Sequence, residues 1–213
     1  MLKPALVPAA LIALLLVVPA PAHGACGVAT AKADYESPEI QLYSQGDEIL
    51  TNHYACLRAT GKRRAVGQDS QGEGSASTSV LGVYGRWLWL SNEMYDPDSD
   101  ATQVSHTLLD VRTGKAAKAG PFTEDIALPG ALVVAYEGIT ARFTDGGTVK
   151  LSTDPTASGL AAVGSRVYWR TGDVAHTAEL ALPKAAAAAS PDAVGSVLSF
   201  TVPPSVKRAV MPS

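Results

Sequence analysis

Apolar and polar residues alternate along most of this chain, in short runs separated by Gly, Asp, Ser and Thr. In one such run Trp87, Trp89 and Ser91 fall on one side, and Leu88 and Leu90 on the other. A period of two is the mark of a β-strand. The Trp, Tyr and Val content of these runs agrees with that assignment. The separators form turn clusters at Gly46-Asp47, Asp96–Asp100, Asp145–Gly147 and Gly172-Asp173, where two strands can fold back on each other.

The pattern repeats. Ser79–Ser91 (SVLGVYGRWLWLS), Leu132–Thr144 (LVVAYEGITARFT) and Gly159–Thr171 (GLAAVGSRVYWRT) align without gaps. The first and last share Val83/Val163, Arg86/Arg166 and Trp89/Trp169, and Gly138 stands opposite Gly85. A second piece recurs: Asn52–Lys62 (NHYACLRATGK) matches Ser105–Lys115 (SHTLLDVRTGK), and Ala175–Lys184 (AHTAELALPK) follows one residue shorter. Thr148–Thr153 fills the same slot in another unit. Each piece reads as a strand ending in a turn of the Thr-Gly-Lys kind.

These pieces define about four units, at residues 38–68, 76–121, 128–156 and 157–184. The second unit carries a longer loop, read over Asn92–Val104. Gln68–Thr78, rich in Gly, Ser and polar residues, reads as a flexible connection. Strand-and-turn units of about 40 residues are the sequence habit of propeller blades. The expected fold is therefore all-β, a propeller-like array of about four short blades. A β-sandwich of similar hairpins is the alternative. The pieces ACLRATGKRRAVG, GRWLWL, LLDVRTGK and GSRVYWR also resemble those in uncharacterised secreted proteins of high-GC bacteria that carry propeller-type repeats. The resemblance spans most of residues 26–184. It implies architecture and brings no catalytic residues with it.

The two ends differ from this domain, which is expected over residues 25–184. Lys3 precedes an apolar run from Ala5 to Val18, and small residues follow in Pro19-Ala20-Pro21-Ala22-His23-Gly24. That is the layout of a secretory signal peptide over residues 1–24, cut after Ala22 or after Gly24. The run is shorter than the roughly 20 residues a membrane span needs, and no later stretch reaches that length. Cys26 and Cys56, the only 2 cysteines, survive the cut, and in an exported chain they are expected to pair. Lipidation of Cys26 is the alternative, although His23 stands where the lipid signal normally has Leu. Residues 185–213 read as an Ala- and Pro-rich linker followed by a strand at Val197–Val202.

Composition narrows the function. The chain has 213 residues, 46% hydrophobic and 17% charged, with a net charge of −3. Loss of Lys3 leaves 16 basic against 20 acidic residues, a net of −4. There is no basic surface for nucleic acid, and Lys62-Arg63-Arg64 is too short a cluster to make one. Phosphate loops, dinucleotide fingerprints, zinc spacings and a Gly-x-Ser-x-Gly elbow are absent from the sequence.

Three sets of residues remain as candidates. Asp96, Asp98 and Asp100 alternate in a turn and offer oxygens to calcium, although Ala101 and Thr107 stand where an EF-hand needs Gly and Glu. Trp87, Trp89 and Trp169 offer a face for stacking sugars. His53, His106 and His176 stand in equivalent places, which packing produces more readily than a metal site does. The leading expectation is an exported, non-enzymatic binding or interaction module, with no catalytic residues and no resident cofactor. Its partner would be an extracytoplasmic protein or a glycan. An extracytoplasmic hydrolase and a structural envelope protein are the alternatives.

Overall fold

The computed structural model describes Cys26 and residues 33–183, apart from 73 and 122. The expected signal peptide, the linker and the strand at Val197–Val202 lie outside the described residues. Within them every regular element is a strand. The strands are β1 (Ala33–Glu36), β2 (Ile40–Gly46), β3 (Leu50–Leu57), β4 (Lys62–Ser70), β5 (Ala76–Tyr84), β6 (Trp87–Asp96), β7 (Ala101–Asp110) and β8 (Ala116–Ala119). They continue with β9 (Glu124–Leu128), β10 (Ala131–Ala135), β11 (Ile139–Phe143), β12 (Thr148–Ser152), β13 (Ser158–Val163), β14 (Arg166–Thr171) and β15 (Val174–Glu179). No helix among the described residues is long and apolar enough to cross a membrane.

All pairings are antiparallel and follow chain order. Strands β1–β8 form one sheet, β9–β12 a second and β13–β15 a third. The eight-stranded sheet is two meanders joined by little, because β4 meets β5 only at Ser70↔Ala76. The chain therefore runs through meanders of four, four, four and three strands.

Each meander packs its face on the next. Ile40, Leu42 and Ala55 of the first meet Val80, Leu88 and Leu90 of the second. From the other face of the second, Trp87, Leu108 and Ala117 meet Ala127, Leu132 and Val134 of the third. The third then packs Val133, Ile139 and Ala141 on Val167 and Trp169 of the fourth. This explains the sequence pattern. The inner meanders are covered on both faces, so β6 begins WLWL and β10 reads ALVVA. The fourth has one open face, so β14 alternates exposed Arg166, Tyr168 and Arg170 with buried Val167 and Trp169. Burying one such apolar side chain contributes about 1.5–3 kcal/mol, against about 0–1 for an exposed ion pair such as Arg166–Glu179. The interlayer cores therefore carry the fold.

The disulfide expected between Cys26 and Cys56 is present, with a Cα–Cα distance of 5.7 Å. It lies against Tyr43 and Tyr54, whose rings stack at 5.4 Å. It fastens the chain's early residues to the outer face of the first meander.

Three expectations are corrected. The loop read over Asn92–Val104 is a hairpin whose strands pair from Trp87↔Asp110 out to Asp96↔Ala101. The connection read over Gln68–Thr78 is mostly strand, since β4 reaches Ser70 and β5 starts at Ala76. In both places polar residues lie on strand ends that project past the apolar core. The Trp89/Trp169 equivalence also fails at the level of faces. The turns fall at Gly85-Arg86 and Gly164-Ser165, one residue out of step with the gapless alignment. A slip of one residue exchanges the faces of a strand. Trp89 accordingly packs toward the following meander and Trp169 toward the preceding one. The Thr-Gly-Lys turns do correspond, because Gly61 N–H donates to Leu57 O and Gly114 N–H to Asp110 O, with both glycines at positive φ.

Candidate functional site

The first two meanders share a core at one end and diverge at the other. Between them the strand ends leave a groove of about 460 Å³. A second hollow of about 400 Å³ adjoins it and shares Ala65, Asn92 and Ser105. Small residues on β4 create the space. Gly67 sits against the Thr78 side chain, and a methyl group at 67 would overlap it.

One polar residue from each successive strand lines the floor. The Asp69 carboxylate accepts the Thr78 N–H at 2.8 Å. Thr78 Oγ1 accepts the Gln68 N–H at 3.2 Å and donates to Asn92 Oδ1 at 3.4 Å. Asn92 Nδ2 then donates to Thr107 Oγ1 at 3.4 Å. This ladder crosses β4, β5, β6 and β7 and satisfies the buried Thr78, which is 3% exposed. Above it, the Gln103 amide and the Ser105 hydroxyl make no hydrogen bond within the described residues. Met94, 61% exposed, and Val104 form an apolar wall. The groove thus offers neutral donors and acceptors beside a small apolar surface.

Behind the floor lies a histidine. His53 Nε2 is 3.0 Å from Asp69 Oδ2, and its Nδ1 is 2.8 Å from Ser44 Oγ. Serine, histidine and aspartate in this order are the parts of an acyl-transfer triad. A nucleophile must present its oxygen to a substrate and hand its proton to the ring. Here Ser44 donates instead to Asp34 Oδ2 at 2.6 Å, and His53 is 1% exposed. The array ties β1, β2, β3 and β4 together beneath the groove.

The other two histidines are placed differently from each other. His106 Nδ1 is 2.7 Å from Asp125 Oδ2, linking the second meander to the third, with Trp89 edge-on at 6.0 Å. It matches His53, since both stand on the third strand of a meander and face the next one. His176 stacks on Trp169 at 5.6 Å and faces the preceding meander. The three do not converge, and no group of His, Cys, Asp and Glu suited to a metal ion occurs among the described residues.

The remaining candidates are also dispersed. Trp87 and Trp169 are 1% and 6% exposed and lie in different interlayer cores. No common sugar-stacking face exists, because each ring fills the space between two sheets. Arg86 covers Trp87 at 4.4 Å and pairs with Asp110 at 3.2 Å. In the acidic turn, Asp96 accepts the Ser99 hydroxyl at 2.8 Å and the Asp98 N–H at 3.1 Å, and these bonds hold its carboxyl below the usual aspartate range. Asp100 accepts the Tyr95 hydroxyl at 2.9 Å. These carboxylates lock the hairpin tip. In the basic cluster, Arg64 donates to the carbonyls of Val111 and Arg112 on the second meander.

The groove residues Asn92, Gln103 and Ser105 escape the sequence reading because that stretch looks like a loop. A period-two signal is present, since Met94 and Tyr95 pair with Gln103 and Thr102, but its polar positions do not mark a core face. No protein-family model and no curated protein sequence matches the chain.

Proposed function

We propose that this is an exported, non-enzymatic binding module of propeller-like build, and that the groove between its first two meanders holds the ligand. The observation that carries this reading is the groove itself. It has the volume of a small-molecule site, a floor whose hydrogen bonds are already made, and unpartnered amide and hydroxyl groups above that floor. Four consecutive antiparallel meanders stacked face to face support the propeller-like description. A disulfide between Cys26 and Cys56 is consistent with a location outside the cytoplasm, and the sequence of residues 1–24 supports export.

The test is a thermal-shift screen of the exported chain against calcium and transition-metal salts, glycans and peptides. A ligand at a hundredfold excess over its Kd raises stability by about 2.7 kcal/mol. We expect a glycan or a peptide to give such a shift. Ser105→Trp, which fills the groove, should abolish it while leaving the ligand-free melting temperature close to wild type. A shift that survives Ser105→Trp would place binding elsewhere. A calcium shift lost in Asp98→Ala would move the site to the acidic turn.

A further inference from the structure

We propose that the ligand of this groove is a short, neutral oligosaccharide; the inference rests on the binding-module reading above. The argument begins with charge. The ladder that crosses the floor ends in Thr78, Asn92 and Thr107, all neutral. Its one carboxylate, Asp69, is already engaged by the Thr78 N–H and His53. A charged ligand entering here would lose hydration without gaining a counter-charge, which is costly. A neutral ligand avoids that loss.

Hydrogen-bonding capacity comes next. The Gln103 amide donates and accepts from one planar group, and the Ser105 hydroxyl does both from one atom. Sugar hydroxyls likewise donate and accept, so adjacent hydroxyls can satisfy such groups in pairs. A peptide backbone presents donors and acceptors singly and seeks an open strand edge. At the β4 edge that faces the groove, the Gln68 N–H is already bonded to Thr78 Oγ1, so strand addition there finds its donor occupied.

The apolar part of the groove supports the same choice. Met94 and Val104 make a shallow wall on the hairpin formed by β6 and β7. Peptide recognition depends on deep pockets that swallow an aromatic or aliphatic anchor. A shallow wall suits the C–H face of a pyranose. The two adjoining hollows, which share Asn92 and Ser105, provide length for more than one ring.

The experiment is titration calorimetry of the exported chain with neutral disaccharides to tetrasaccharides, with uronic-acid oligosaccharides of equal length, and with uncharged peptides. We expect a neutral oligosaccharide to bind and its uronic-acid counterpart to bind at least about tenfold more weakly. Gln103→Ala and Ser105→Ala remove groups that make no internal bond, so both should fold normally. Each should weaken sugar binding by about five- to tenfold. Groove-dependent binding of a peptide, or preference for the uronic acid, would overturn the sugar inference and keep the binding-module reading. Sugar binding unaffected by Gln103→Ala, Ser105→Ala and Ser105→Trp would overturn both. Absence of binding by every neutral oligosaccharide at millimolar concentration would overturn the sugar inference as well.

Discussion

At the scale of single residues, a few positions decide how closely the first two meanders approach. Gly67 is one. It is a glycine because Thr78 occupies the volume where its side chain would be, and Thr78 in turn organises the floor of the groove. Gly67→Ala should therefore cost about 1–3 kcal/mol, the usual penalty for overpacking a filled site. The cost should shrink in a Thr78→Gly background, because the clash is pairwise. Chemical denaturation of the four proteins in that cycle measures it, and purely additive effects would refute the packing account. Nothing in the sequence around Gly67 announces this role, since the stretch VGQDSQGEG has the composition of a linker. The glycines of the Thr-Gly-Lys turns were legible, because a left-handed residue at a strand end is a local requirement.

At the scale of elements, turns and the disulfide set the conditions under which the strands persist. Four exposed carboxylates lock turns or hairpin ends. Asp47 is held below the usual range by the N–H groups of Leu50 and Ile49, and Asp154 by the Thr156 hydroxyl and N–H. Asp96 is lowered by Ser99 and Glu179 by Ser165. A carboxyl whose folded pKa lies below its unfolded value stabilises the fold above the unfolded pKa. That contribution fades as pH falls toward the folded value. Stability should accordingly be flat from neutral pH to about pH 5 and should decline below about pH 4. Urea midpoints taken across that range test the sign, and a rise on acidification would contradict it. The Cys26–Cys56 bridge, with a sequence separation of 30, should add roughly 3–4 kcal/mol by the chain-entropy model. The measurement is the loss of denaturation free energy on reduction. Intact mass with and without reductant should confirm the pairing by a 2 Da change from two thiols, and alkylation of both cysteines without reductant would disprove it. The pairing was legible because only two cysteines exist, and both follow an export-type leader.

At the scale of the whole molecule, consecutive meanders share their cores, so none can leave without exposing the next. The third gives one face to Trp87 and Leu108 of the second and the other to Val167 and Trp169 of the fourth. Unfolding should then be a single transition, with coincident midpoints from tryptophan fluorescence and far-ultraviolet circular dichroism. Two separated midpoints would show that the layers unfold independently. The groove arises at this same scale. It exists because β6 and β7 extend beyond the shared core while β4 crosses beside them, and both conditions involve residues far apart in the chain.

By itself the sequence determined what local physics controls. Period-two alternation marked the strands, glycine-bearing turns marked their ends, and near repetition marked the units. The split of Leu88 and Leu90 from Trp87 and Trp89 onto opposite faces followed from the same period. Only the tertiary structure decided which faces are covered, because burial depends on the neighbour that a face meets. That is why the tryptophans, so suggestive of a sugar platform in the sequence, fill spaces between layers. It is also why polar strand ends with no apolar signal, Asn92, Gln103 and Ser105, line the groove. Alternation tells a residue's side of a strand, and packing alone tells whether that side sees water.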